Sequence, residues 1–182
     1  MSALGRALDP LKRRVMLMVG RAVVEYINDA TKMQSAQVSL LEGEVREKVE
    51  HFQSYGFTSV AEPGAEGVAL SVSGNRDHVI LICVDDRRYR MKGMLPGETA
   101  VYTKWGDYIL LKEDEIEVVH QTKITMRAPL VELDAAQTHM TGSLQVDGTV
   151  TATVDVSGGG KSLKNHIHSG VTTGGGNTGA PV

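Results

Sequence analysis

The sequence predicts an all-β protein built from two successive architectures: an OB-like antiparallel barrel, then an intertwined trimeric β-helix with a metal-capped tip. Three observations carry this reading. All eight aromatic side chains of the 182-residue chain, namely Phe52, Phe57, Trp105 and five tyrosines, lie at or before Tyr108. After that point the apolar residues come as short i,i+2 couplets, such as Ile116/Val118, Val131/Leu133 and Leu144/Val146, separated by Thr, Asp, Gln, His and Gly. The chain then closes on His166-Ile167-His168 and a glycine-rich stretch.

Residues 1–18 read as an N-terminal helical segment. Asp9 is the expected N-cap and Pro10 the first helical position, with Leu11, Val15 and Met18 along one face. Residues 19–112 read as the barrel. Candidate strands are 16–27, 37–41, 44–52, 68–72, 79–84, 87–91, 99–103 and 108–112. Turn signals such as Glu62-Pro63-Gly64, Ser73-Gly74-Asn75 and Leu95-Pro96-Gly97 separate several of them. Their number and spacing fit a five-stranded barrel of the oligonucleotide/oligosaccharide-binding type, which fixes no function by itself.

Residues 113–160 read as a triple-stranded β-helix shaft. The couplets continue through Ile124/Met126 to Val150/Ala152/Val154/Val156, with no helix to cover their apolar side. Burying each of roughly a dozen such side chains contributes about 1.5–3 kcal/mol. Left in water, they contribute nothing against the entropy of ordering the residues that carry them. On one chain the apolar ridge stays in water and the balance fails. Three chains wound together bury it and close each other's open strand edges. The Gly158-Gly159-Gly160 and Gly174-Gly175-Gly176 triplets show no Gly-X-Y period and read as tight turns.

Residues 161–182 form the expected tip. His166 and His168, two residues apart, project from one side of an extended segment. In one chain they also read as two solvent-exposed histidines near a glycine-rich end. Three copies around an axis supply six imidazole nitrogens, enough for an octahedral shell around a first-row divalent metal, and affinity order alone does not choose iron over nickel, cobalt or zinc. A filled shell leaves no open position for substrate, so the expected role is structural.

The remaining titratable groups point to no chemistry. His120 and His139 read as outward-facing, and His51 and His78 as surface or barrel-rim positions. Asp85-Asp86-Arg87-Arg88 reads as a charged turn, and residues 113–117 as a solvated acidic segment without calcium-loop spacing. The single Cys83, in the apolar run 79–84, reads as a small buried hydrophobe. No catalytic constellation is present, so no enzyme activity is expected. The net charge of −3 argues against a nucleic-acid partner. Residues 113–182 carry four basic against eight acidic side chains, which phosphate backbones would repel. No apolar run reaches the ~20 residues a membrane helix needs. No secretory leader is expected either, which places folding in the cytoplasm that makes the protein.

The whole chain resembles the central baseplate spikes of contractile-tailed bacteriophages, most closely their Mu-like branch. Three features in fixed order carry the resemblance. First come the segments Gly97-Glu98-Thr99-Ala100-Val101-Tyr102 and Gly106-Asp107-Tyr108-Ile109-Leu110-Leu111, expected as closing strands of the barrel. The Thr-, Gly- and Val-rich repeats follow, including residues 140–150, and then His166-Ile167-His168 before Thr178-Gly179-Ala180-Pro181. The resemblance implies a homotrimeric needle in the virion tail baseplate. Its barrels attach to the hub protein, and its shaft pierces the host outer membrane when the sheath contracts. It also implies iron, as Fe2+ and one per trimer, held by His166 and His168 of three chains. Calcium and chloride accompany iron in related tips, but no ligands for them can be assigned here. The alternative from another class is a trimeric receptor-binding fibre recognising surface glycans, which would want exposed aromatics that residues 109–182 lack.

Overall fold

The computed structural model describes residues 3–167 together with Gly170 and Gly174. The chain divides into two compact units, Met1–Met126 and Arg127–Val182.

The first unit opens with α1 (Ala3–Met16). The helix begins before the expected Asp9 cap and runs through Pro10. Ala3, Leu4, Ala7 and Leu8 are strong helix formers, and they carry the helix past the hydrogen bond that Pro10 cannot make. Every described side chain from Leu8 to Val15 is exposed. The C-terminal end of the helix is nonetheless tied to the barrel. Arg76 Nη1 donates to the Leu17 carbonyl at 3.3 Å and its guanidinium grips Glu44, while Arg46 Nε donates to the Arg76 carbonyl at 2.8 Å. The hydrogen bond from Arg76 is the main reason the Glu44 carboxyl sits below the usual carboxylate range.

Five strands form a closed barrel: β1 (Val19–Asn28), β2 (Ser35–Ser39), β3 (Val45–His51), β4 (Glu66–Ser71) and β5 (Val79–Asp85), ordered β1-β2-β3-β5-β4 and back to β1. The five-stranded barrel is as expected, but it is not wholly antiparallel: β3 and β5 pair in parallel at Glu50↔Ile80 and His51↔Leu81. Alternation sends Ala22 and Val24, Ala36 and Val38, and Val79 and Leu81 inward, where Val49, Ala65 and Ala69 join them. The core is therefore small-residue and aliphatic. Seven of the aromatics are exposed, and Tyr108 is half-buried.

Register shifts interrupt the β1/β2, β2/β3 and β4/β5 ladders. Such bulges bend strands enough to close a small barrel. The one in β5 corrects the reading of Cys83. Strict alternation from Val79 and Leu81 would turn Cys83 inward. Instead Cys83 takes a left-handed backbone (φ 51°) and is exposed, and Val84 packs against the core in its place. Gly67 stands opposite this bulge. A Cβ there would lie 2.9 Å from Leu81 Cδ1 and 3.0 Å from Val84 Cγ2.

Residues 87–91 are not a strand. Asp86 makes them a turn: its carbonyl accepts from the N–H of Tyr89 at 3.1 Å and of Arg90 at 2.9 Å, and its carboxylate binds the Arg88 N–H and guanidinium. The segments expected to close the barrel do not join it either. β6 (Thr99–Tyr102) and β7 (Tyr108–Leu111) pair with β8 (Ile116–Val119) in a separate three-stranded antiparallel sheet. The barrel ladder is already complete when β4 has paired with both β1 and β5, so no edge remains for them. In this sheet Val101, Ile109 and Val118 align across the strands, as do Leu111 and Ile116, and all five are exposed.

In the second unit, the described residues between Arg127 and Val156 carry no strand. A short hairpin follows, β9 (Ser157–Gly158) and β10 (Lys161–Ser162). Its two-residue turn, Gly159 (φ 55°) and Gly160 (φ 75°), has both residues left-handed, which a type I′ hairpin requires. The first glycine triplet is thus a tight turn. Of the second, Gly174 alone lies within the described residues.

Candidate functional site

The hairpin sets up the one side chain of the expected metal pair that the structure describes. Asp155, just before β9, is its hub. Its Oδ1 accepts from the Val156 N–H at 2.8 Å and, nine residues on, from the Lys164 N–H at 3.1 Å. A hydrogen bond from the Ser162 hydroxyl is the leading cause, ahead of the Lys164 N–H, that holds the Asp155 carboxyl below its usual range. Ser162 Oγ in turn accepts from the Asn165 N–H at 2.8 Å, and the Ser162 carbonyl accepts from the His166 N–H at 3.0 Å. Leu163 is anchored by its N–H to the Val156 carbonyl at 2.8 Å.

His166 itself is exposed, and its Nδ1 lies 3.0 Å from the Leu163 carbonyl. A carbonyl can only accept, so Nδ1 carries the proton and the neutral ring keeps its lone pair on Nε2. That is the donor chemistry a metal-ligating imidazole needs, and the residue present fits the role. His168 lies outside the described residues. Among the described residues of one chain, no group of three His, Cys, Asp or Glu side chains is placed to hold a metal ion.

The other histidines separate by environment. His78 and His139 are exposed. His120 is exposed as well and ends β8: its Nδ1 accepts from the Thr122 N–H at 3.0 Å and the Lys123 N–H at 3.1 Å, and its Nε2 lies 3.7 Å from Asp107. His51 is the exception, a buried residue (3% exposed) where a surface or barrel-rim position was expected. Its Nδ1 donates to Gln34 Oε1 at 2.7 Å. Gln34 Nε2 then donates to Asp29 at 2.7 Å and to the Ser59 carbonyl at 3.1 Å, and Gln53 joins the same cluster. Burial pushes the His51 pKa down. Its position was legible, because in β3 it shares a face with buried Val49. The Asp155–Ser162–Leu163 arrangement was not, because it is held by backbone atoms and by a side chain that reads as an ordinary outward residue between Val154 and Val156. The acidic segment 113–117 includes the β7–β8 turn, where Lys112 Nζ bridges Glu115 at 2.7 Å and Glu117 at 3.2 Å.

Sequence comparison adds two matched regions. Residues 21–88, nearly the barrel, match the family described as the N-terminal region of bacteriophage Mu Gp45. Residues 162–182, beginning at the last residue of β10, match the GpV apex motif. Over 189 aligned residues the chain is 39% identical to the baseplate puncturing device gp45 of Escherichia phage Mu, covering 95% of each protein. Over 175 aligned residues it is 37% identical to the Mu-like prophage FluMu protein gp45 of Haemophilus influenzae, covering 92% of this chain and 95% of that protein.

Proposed function

The chain belongs to the Mu-type gp45 family of baseplate puncturing devices, and we propose that three copies of it wind together into a needle whose tip His166 and His168 close around one metal ion. The needle sits in the virion tail baseplate, with its barrels on the hub protein, and sheath contraction drives its tip through the host outer membrane. The work is mechanical and requires no catalytic step.

The observation that carries the trimer is the exposure of the second unit's apolar side chains. From Leu130 through Val131, Leu133, Met140, Leu144, Val146 and Val150 to Val154 (80% exposed), every one is open to water in the single chain. Nothing within the unit covers them, because no helix or second sheet layer exists there among the described residues. At about 1.5–3 kcal/mol for each buried side chain, association into an interwound β-helix recovers what one chain forgoes. The exposed Val101, Ile109, Leu111, Ile116 and Val118 of the β6–β8 sheet extend the same argument upstream. Iron is the metal the family resemblance favours. Three His166 and three His168 side chains would fill its shell, and binding would pin three chain ends together as folding energy.

Elemental analysis of the untagged protein, combined with sedimentation equilibrium, tests the reading. One iron per three chains and a trimeric mass support it throughout. A trimer without bound transition metal leaves the needle standing and returns His166 and His168 to surface residues. A monomer overturns the proposal.

A further inference from the structure

We infer that Asp155, seven residues upstream of the apex-motif match, is a positioning residue that presents His166 to the metal. The inference rests on the metal reading above and deepens it, adding a residue that does not touch the ion.

Asp155 reaches His166 through a continuous path. Its carboxylate Oδ1 clamps the two ends of the hairpin through the Val156 and Lys164 N–H groups, the second only two residues before His166. Ser162, at the end of β10, adds two further ties, its Oγ accepting from the Asn165 N–H and its carbonyl from the His166 N–H. The Leu163 carbonyl, fixed because its own residue is bonded to Val156, then selects the Nδ1–H tautomer of His166. The result is a histidine whose backbone, ring orientation and tautomer are set before any metal arrives.

A second observation marks this spot as built. Among the described residues from Arg127 onward, Ser162 is the single one that is not exposed. Where every described apolar side chain of the unit is left to solvent, the half-buried residue is the polar one that ties Asn165 and His166 back to the hairpin. A hydrogen-bonded turn with no apolar core is a poor source of stability, but it is a means of holding a ligand. Partners that orient a ligating histidine typically contribute about 10–100-fold to metal affinity, and three copies would act at one ion.

The test is a Co2+ titration of the full-length protein, freed of metal. Visible d–d bands report nitrogen coordination, and sedimentation reports assembly in parallel. The parent is compared with Asp155→Ala, Asp155→Asn, Ser162→Ala and His166→Ala. Asp155→Ala should weaken Co2+ binding by about 10–100-fold and shift its bands while the oligomer stays intact. Asp155→Asn keeps an acceptor oxygen and should recover part of the loss, and Ser162→Ala should fall between Asp155→Ala and the parent. Asp155→Ala binding Co2+ with the parent's affinity and spectrum, while His166→Ala does not bind, overturns the inference and leaves the metal reading intact. A parent that binds no Co2+ overturns both. Should Asp155→Ala fail to assemble, Ser162→Ala decides by the same comparison.

Discussion

The barrel and the segment from Arg127 to Ile167 solve the same problem, hiding apolar side chains, in opposite ways. The barrel hides them within one chain: Leu81, Val24 and Val38 are wholly buried, and each ladder returns on itself. The later segment hides nothing within one chain, and Ile167 at its end is 93% exposed. Both alternate apolar with polar residues. The difference is that the barrel's strands are long enough, and separated by turns sharp enough, to meet one another, whereas the later couplets have only short polar spacers and, among the described residues, no partner strand in their own chain. Alternation tells where a side chain points, and chain length between turns tells whose core it points into.

The most severe way to break this contrast is a charge on the second unit. Val150→Asp places three carboxylates at one level of the proposed trimer, each costing several kcal/mol to bury. Assembly should be abolished while the barrel melts as before, followed by sedimentation and by far-ultraviolet circular dichroism. An unchanged trimeric mass would remove Val150 from any interface. Next in size is Leu81→Ala, expected to cost the barrel about 2–5 kcal/mol in a denaturant titration without altering the state of association. Gly67→Ala should cost about 1–3 kcal/mol, because its methyl group meets Leu81 and Val84 from across the β5 bulge.

The smallest effect is a pH dependence confined to the barrel. Burial depresses the His51 pKa in the folded state. The unfolded chain therefore binds the proton first as the pH falls below about 6.5. The stability that His51 contributes is complete above that value and is lost as pH descends towards the folded pKa, by at most about 1.4 kcal/mol per pH unit. His51→Gln should flatten the profile between pH 7 and 5. The Glu44 carboxyl, depressed chiefly by its hydrogen bond from Arg76, adds a loss in the same direction at lower pH. A wild-type barrel whose melting temperature is level from pH 7 to 5 would show that His51 is not held neutral by its burial.

Much of this molecule was open to inspection in its residues. The five barrel strands follow from apolar alternation between turn residues, and they end where Asp85-Asp86-Arg87-Arg88 provides a turn. The loss of aromatics after Tyr108 falls within the β6–β8 sheet, ahead of the boundary between the two units at Met126. His166 and His168 stand out as an i,i+2 pair before a glycine-rich end, and their metal role is the reading proposed above. These features are local, and local periodicity is what side-chain chemistry writes into a sequence. Where the reading missed, the deciding contact was distant. β6 and β7 carry strand patterns as good as any in the barrel, yet the closure of β4 onto β1 and β5 left them no edge to join. Cys83 was turned outward by a bulge that depends on Gly67, sixteen positions earlier in the chain. Asp155 became the anchor of the hairpin by reaching Lys164. Composition and period determine which residues seek cover and in what repeating element. Only the tertiary structure decides which backbone groups are already spent when the next segment arrives, because hydrogen bonds between distant residues leave no periodic trace.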